Sequence, residues 1–366
     1  MAKKETKKRA PLFHIIKRGR DALPWYFGML VRAIAVVAAL LVCGVLITLL
    51  TGKNPLQVYG SMIDGVFGSS RRIWNMLQSL SMLLCVSLAV TPAFKMRFWN
   101  IGAEGQVLIG GLACTATMMF LGDKLPLWLL LTVMTVASMA AAMVWALLPA
   151  VCKAYWNTNE TLFTLMMNYV ATQLVAYFLK VFVKDGSGVL SPMPQYGLPV
   201  IGGHAYLLNV LVVVLLTVAV YIYLRYSKQG YEISVVGESE NTARYIGINV
   251  KKVIIRTLLV SGAICGLAGL LLVGGTNHTI NTSTAGGRGF TAIMVSWLGK
   301  FNPLYMILTA FLVVFLERGA QQVSTDFRIP SAISDIVTGI ILLFIIGCEF
   351  FLQYRVVMRK NGKEGA

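Results

Sequence analysis

Long apolar runs recur along this chain, separated by short polar breaks. A bilayer core about 30 Å thick needs about 20 apolar residues per helix. Runs of that kind fall at 29–51, 73–94, 102–121, 126–150, 161–183, 205–225, 253–275, 289–300, 303–320 and 331–352. The expected fold is an all-α polytopic membrane protein of about ten transmembrane helices. The eighth run is short, and the pattern leaves open whether it spans or re-enters. Three breaks are longer than the rest. Residues 184–204, rich in Gly, Pro and Ser, fit an external loop; 276–288 form a polar, Gly-rich approach to the eighth run; 226–252 are the longest charged insertion. The organisation expected is a basic leader over 1–28, a transmembrane domain over 29–352 and a tail over 353–366, with Trp25, Tyr26 and Phe27 as interfacial anchors.

Composition strengthens this picture. Hydrophobic residues make up 57% of the 366 and charged residues 13%, against about 25% charged in soluble domains. The spans leave no room for a soluble catalytic domain. A net charge of +17 would suggest nucleic acid in a soluble protein; here it reads as a topology signal, and no nucleic-acid partner is expected. Lys3, Lys4, Lys7, Lys8, Arg9, Lys17, Arg18 and Arg20 crowd the leader. Arg225, Lys228, Arg244, Lys251, Lys252 and Arg256 mark the charged insertion, and Arg355, Arg359, Lys360 and Lys363 the tail. The positive-inside rule then puts both termini in the cytoplasm, and an even number of spans agrees with that. The leader is too long and basic for a cleavable signal, so the first run stays as an anchor. Six cysteines are scattered singly and His14, His204 and His278 lie far apart, so no metal site is expected.

No catalytic signature is present: the chain has no phosphate-binding Gly-x-x-x-x-Gly-Lys-Ser/Thr loop, no HExxH and no GxSxG. It is expected to bind no cofactor and to be no enzyme. The informative stretch is Asn100-Ile101-Gly102-Ala103-Glu104-Gly105-Gln106, at the mouth of the third run. A carboxylate in mid-membrane costs about 2.5–3.5 kcal/mol on insertion scales, so Glu104 should face a cavity or packed interior unless it sits at headgroup level. Further polar groups are Asn159 and Glu160 before the fifth run and Asn168 about two turns into it. Amides donate and accept at once, which suits neutral hydroxylated or heterocyclic ligands. They equally serve as interhelical glue worth about 0.6 kcal/mol, and residue type alone leaves both roles open. Phe98, Trp99, Phe163 and Tyr169 could stack on a base or sugar. Asp335, Glu317 and Glu349 fall nearer span ends. Small residues over 137–142 and 262–269 predict close helix packing.

Two glycine elements echo one another. Gly102-Ala103-Glu104-Gly105 opens the third run and Gly286-Gly287-Arg288-Gly289 the eighth, five runs later and from the opposite side. This suggests a 5+5 inverted repeat with broken helices, a recurring transporter architecture. In the charged insertion, a short helix is expected to start near Asn241 behind acidic residues and to stop at Gly247. Such a segment is a candidate docking helix.

The run 98–106, Asn159-Glu160-Thr161, Leu165-Met166-Met167-Asn168-Tyr169, Val236-Gly237-Glu238, Ala243-Arg244-Tyr245-Ile246-Gly247-Ile248-Asn249 and Gly287-Arg288-Gly289-Phe290-Thr291 together resemble the permease subunits of bacterial nucleoside and simple-sugar ABC importers. The resemblance covers roughly 75–345 and includes the Ala-x-x-x-Gly core of the ATPase-contacting loop, at Ala243 and Gly247, without the fuller Glu-Ala-Ala form. It implies alternating access in a bacterial inner membrane, with a second permease, a cytoplasmic ATP-binding subunit carrying ATP and Mg, and an extracytoplasmic substrate-binding protein. Its implied cargo is a nucleoside, with a ribose-type monosaccharide as runner-up. Candidate substrate-binding residues are Asn100, Glu104, Gln106, Asn159, Glu160 and Asn168; candidate coupling residues are Glu238, Asn241, Ala243, Arg244 and Gly247. A rival reading is an ion-coupled carrier with Glu104 as the coupling carboxylate.

Overall fold

The structure, a computed structural model, describes residues 13–17, 25–52, 54–183, 190–328 and 330–358. Most of the basic leader, Arg359, Lys360 and Lys363 of the tail, and 184–189 of the expected external loop lie outside the described residues. In chain order the elements are β1 (Phe13–Lys17), α1 (Trp25–Thr51), α2 (Pro55–Phe67), α3 (Ser70–Lys95), α4 (Ala103–Leu121), α5 (Leu127–Trp156) and α6 (Glu160–Phe182). They continue as α7 (Leu207–Tyr226), α8 (Lys228–Glu238), α9 (Glu240–Tyr245), α10 (Val250–Leu272), α11 (Arg288–Leu298), α12 (Pro303–Phe327), α13 (Ser331–Gln353) and β2 (Tyr354–Met358). Contacts divide them into two units, Met1–Gly65 with Leu316–Ala366, and Val66–Phe315.

The all-helical expectation holds through the membrane segment. Among the described residues, α3, α4, α5, α6, α7, α10 and α12 are each long and apolar enough to cross a bilayer. The 27-residue α1 and 23-residue α13 carry apolar stretches over 37–49 and 336–348. The eighth run behaves differently. Helix α11 has only 11 residues, about 16 Å at 1.5 Å per residue, half the apolar thickness. Helix α2 had no counterpart among the expected spans. It has 13 residues and begins at Pro55, a favoured first position, and its short, glycine-broken sequence fails a test for long apolar runs.

In the first unit, α1 packs on α13, where the Cys43 thiol donates to Val337 O at 3.7 Å. Strand β1 precedes α1 and β2 follows α13. They pair antiparallel from Phe13↔Met358 to Lys17↔Tyr354, which joins the segment before α1 to the segment after α13. This strand pair is the one exception to helix outside the loops among the described residues.

The core of the second unit is α3, α4, α5 and α10, and glycine sets how close they come. A Cβ at Gly110 of α4 would lie 2.7 Å from Gly266 Cα in α10, and one at Gly269 would lie 2.5 Å from Val107 O. On the other side of α10, a Cβ at Gly262 would lie 2.7 Å from Ala142 O, and one at Gly266 2.7 Å from Met139 Cα. Helix α10 is thus in backbone contact with α4 and α5, as the small-residue runs predicted. Past Leu272 its last turn widens into a π-helix, Val273–Asn277. A strap from 190–198 lies across that turn: Met193 N donates to His278 O and Leu198 N to Gly274 O, both at 2.8 Å.

Candidate functional site

Helix α3 stops at Lys95, Arg97 turns the chain at φ 61°, and α4 starts only at Ala103. A helix beginning inside a membrane leaves N–H groups that water cannot reach, each costing several kcal/mol if unpaired. The Asn-Ile-Gly-Ala-Glu-Gly-Gln motif supplies the partners. Fully buried Asn100 accepts at Oδ1 from Gly102 N at 3.1 Å and from Gln106 Nε2 at 3.3 Å, and donates to Ser261 Oγ of α10 at 3.2 Å. Thr164 Oγ1 accepts from Ile101 N at 3.2 Å. Asn168 accepts from Gly105 N at 2.8 Å and donates to Ile101 O at 2.9 Å. The amides of Asn100 and Asn168 therefore tie the break to α6 and α10. Gln106 Oε1 stays buried without a partner.

The depth of this junction follows from its partners. Asn168 lies eight residues beyond the start of α6 and Ser261 eleven beyond the start of α10, roughly 12 and 16 Å along those helices. Helix α4 is 19 residues long, about 28 Å, so from this junction it crosses most of a 30 Å core.

Glu104 sits in the first turn of α4. Its Oε1 accepts from Gly287 N and its Oε2 from Gly289 N, both at 2.7 Å. Gly287, at φ 73°, is the N-cap of α11 and provides no side chain to cap it; Glu104 does so from another helix. The contact is close, since a Cβ on Gly289 would lie 2.7 Å from Glu104 Cα. One carboxylate thus faces the positive ends of two helix dipoles. The two glycine elements meet at this carboxylate. Helix α4 runs alongside α10, away from the end that carries α8 and α9. Helix α11 runs back towards that end, where Ser296 Oγ donates to Ser87 O at 3.0 Å and Phe301 stacks on Phe94 of α3.

Asn159 and Glu160 lie apart from this junction. Asn159 caps α6, accepting from Leu162 N at 3.1 Å, and Glu160 pairs with Lys153 at 2.9 Å. Glu160 borders a polar cavity of about 240 Å³ that also touches Met96, Phe98, Gly237 and Glu238. The six candidate substrate residues thus divide four to two.

The expected helix near Asn241 is α9, capped by Ser239, whose Oγ accepts from Thr242 N at 3.3 Å, and followed by Gly247 at φ 84°. Ala243 is fully buried, and its carbonyl accepts from Ile248 N at 2.9 Å, which closes the Ala-x-x-x-Gly turn. Glu238, Asn241, Arg244 and Gly247 are exposed. Sequence reasoning did not select Tyr245, 91% exposed at the tip, or the adjacent exposed Ile246. It also missed Gly237, which presses on the Lys95 carbonyl and Met96 and so seats α8 on the last turn of α3. A second missed group lies at the opposite end. Gln78 of α3, Asn209 of α7 and Thr276 of the π turn form one hydrogen-bonded cluster: Gln78 Nε2 donates to Thr276 Oγ1, and Asn209 Nδ2 to Gln78 Oε1 at 3.2 Å. Buried amides inside two apolar runs were the available signal.

The family model described as the permease component of branched-chain amino acid transport systems matches residues 72–346. The chain belongs to this permease family. The permease is 31% identical to the glucose ABC transporter permease protein TsgB13 of Haloferax volcanii, over 92% of both chains. It is 30% identical to the guanosine ABC transporter permease protein NupP of Bacillus subtilis, over 92% of this chain and 98% of that one. With the nucleoside ABC transporter permease protein NupB of Lactococcus lactis it shares 27% identity, over 87% and 90%. It is a multi-pass membrane subunit of an ABC transporter, and ATP hydrolysis in such systems lies on a separate subunit.

Proposed function

We propose that the permease forms one half of the membrane path of an importer that brings neutral nucleosides into the cytoplasm across a bacterial inner membrane. A second permease supplies the other half, an ATP-binding subunit holding ATP and Mg drives it, and an extracytoplasmic binding protein delivers the cargo. The observation that carries the reading is the α8–α9 knob. It offers Tyr245 and Ile246 outward and rests through Gly237 on α3, immediately before the break that leads to Glu104. A push on α9 is delivered to α3 and the broken-helix junction, the coupling that alternating access needs. The positive-inside pattern puts this knob in the cytoplasm.

A neutral cargo fits the junction because the Glu104 carboxylate is already matched to two N–H groups and offers no free charge. Nucleosides are favoured by the relatives named for guanosine and nucleosides. The glucose permease relative supports a monosaccharide as the second reading. An ion-coupled carrier is disfavoured, since Gly287 N and Gly289 N occupy one carboxylate oxygen each, and a proton on either oxygen would compete with the N–H already bound there.

Purification of the assembled transporter from its native membrane, followed by ATPase assays, tests the proposal. Hydrolysis should rise when binding protein and nucleoside are both present; a response to a monosaccharide alone would replace the cargo, and recovery of the permease without an ATPase would sink the class of mechanism. Within that complex, Tyr245→Ala should cut uptake at least tenfold, because it strips the most exposed group of the knob. Gly237→Val should uncouple hydrolysis from uptake, since the added methyls meet the backbone of Lys95 and Met96. Uptake at the unaltered rate in a well-expressed Gly237→Val variant would remove the α8 seat from the mechanism.

A further inference from the structure

Residues 278–287 connect the π turn to α11 without regular helix. They start level with Gly111, where a Cβ would lie 3.6 Å from Ile280 Cδ1, and end at Glu104, seven residues earlier in α4. That is a descent of roughly 10 Å, and Glu104 lies 17 residues from the far end of α4, about 25 Å, so the segment runs within the apolar thickness. Along the way Asn281, Thr282, Ser283 and Gly286 are exposed. Irregular, polar backbone does not face lipid tails; at this depth it must be covered by protein or meet water. No other described part of this chain covers this face, so in the assembled transporter it turns towards water or the second permease and away from lipid.

The same face continues along α11. Its other side is packed, with Gly289, Ala292, Val295 and Ser296 buried. Phe290 and Trp297, two turns apart, remain 45% and 51% exposed. Trp99, from the break between α3 and α4, is 42% exposed and brings its ring centroid to 5.5 Å from that of Trp297, at 30°. A polar rim therefore leads to a pair of open indoles on the side where α11 approaches α8 and α9.

We infer that this strip lines the translocation path and that Trp99 and Trp297 form the surface on which the flat ring of a neutral nucleoside stacks as it passes. The inference rests on the cargo proposed above. Indole stacking suits such passage: it accepts any base with a π face, and it holds the ring without a charge that would trap it.

Single cysteines at Ser283, Phe290 and Trp297 test this in the assembled transporter, with Cys152→Ser as background because the other native thiols are buried. The probe is a charged, membrane-impermeant methanethiosulfonate. A cysteine at Leu215 is the control, exposed by 70% on the unbroken apolar helix α7. The three path positions should react at least ten times faster than the control, and transported nucleoside should slow Trp297→Cys several-fold. Reaction no faster than at Leu215 would overturn the path. Trp297→Leu should raise KM for uptake at least fivefold with kcat little changed, while Trp297→Phe should restore KM; an unchanged KM in Trp297→Leu would overturn the stacking role. Because labelling needs no cargo, fast labelling without nucleoside uptake would reject the substrate assignment and leave the path standing.

Discussion

Glu104→Ala is expected to abolish uptake and to lower the thermal unfolding temperature of the detergent-purified permease by several degrees. The residue holds two backbone N–H groups of α11 at 2.7 Å, and hydrogen bonds to a charged acceptor contribute roughly 1.5–3 kcal/mol each. Alanine removes both acceptors and leaves the first turn of α11 without a cap from any side chain. Glu104→Gln should be intermediate. One amide oxygen can still accept, but its NH₂ is then set against the second N–H, so uptake should fall while the subunit still assembles. A ligand-contacting carboxylate would behave otherwise, with transport lost and stability kept. An unfolding temperature for Glu104→Ala equal to that of the wild type would therefore sink the capping role, and uptake at wild-type KM and rate would sink any role in transport.

Gly266→Val should prevent the permease from accumulating as a folded subunit. Gly266 lies where α10 meets two helices at backbone distance: its own Cβ would reach 2.7 Å from Met139 Cα of α5, and a Cβ on Gly110 of α4 would lie 2.7 Å from its Cα. Overpacking a well-filled core costs about 1–3 kcal/mol when side chains can shift. Here the obstruction is main chain, so whole helices must separate, and contacts along α4, α5 and α10 are lost with them. Gly60→Ala is the control, because nothing lies within 4 Å of the position its Cβ would take. Fluorescence-detected gel filtration of tagged variants reads the outcome. A monodisperse, wild-type amount of Gly266→Val would show that the helices tolerate separation and would remove glycine from the packing account.

Much of the fold was legible because hydrophobic length is a local property. The apolar run 253–275 corresponds to α10 within three residues at each end, 303–320 gives the start of α12 but stops seven residues short of its end, and the shortness of 289–300 points to a half-helix. The short helix of the charged insertion was legible for a similar reason, since Ala243 and Gly247 act on their own neighbours. Helix α2 was not legible, because its apolar positions are interrupted by Gly60 and Gly65. The roles of the motif amides were half legible. Asn100 and Asn168 were identifiable as costly intramembrane groups, but their partners are Ser261 and the backbone at 101–105, up to 161 residues distant in the chain. No spacing rule reveals such a partner, so ligand contact and interhelical bonding could not be told apart.

The sequence by itself determined that this is a multi-span helical permease, and that Glu104 must have a reason to lie where it does. Bilayer thickness and the cost of unpaired polar groups act on any chain of this composition, whatever its neighbours. The tertiary structure decided what that reason is. Two glycine elements separated by more than 180 residues are brought together at one carboxylate, which neither element's local preferences could specify. It also decided that Asn159 and Glu160 stand apart from the junction and that Tyr245 is the tip of the knob. Both depend on which surfaces remain after the helices have packed, a property of the assembled helices and not of any one segment.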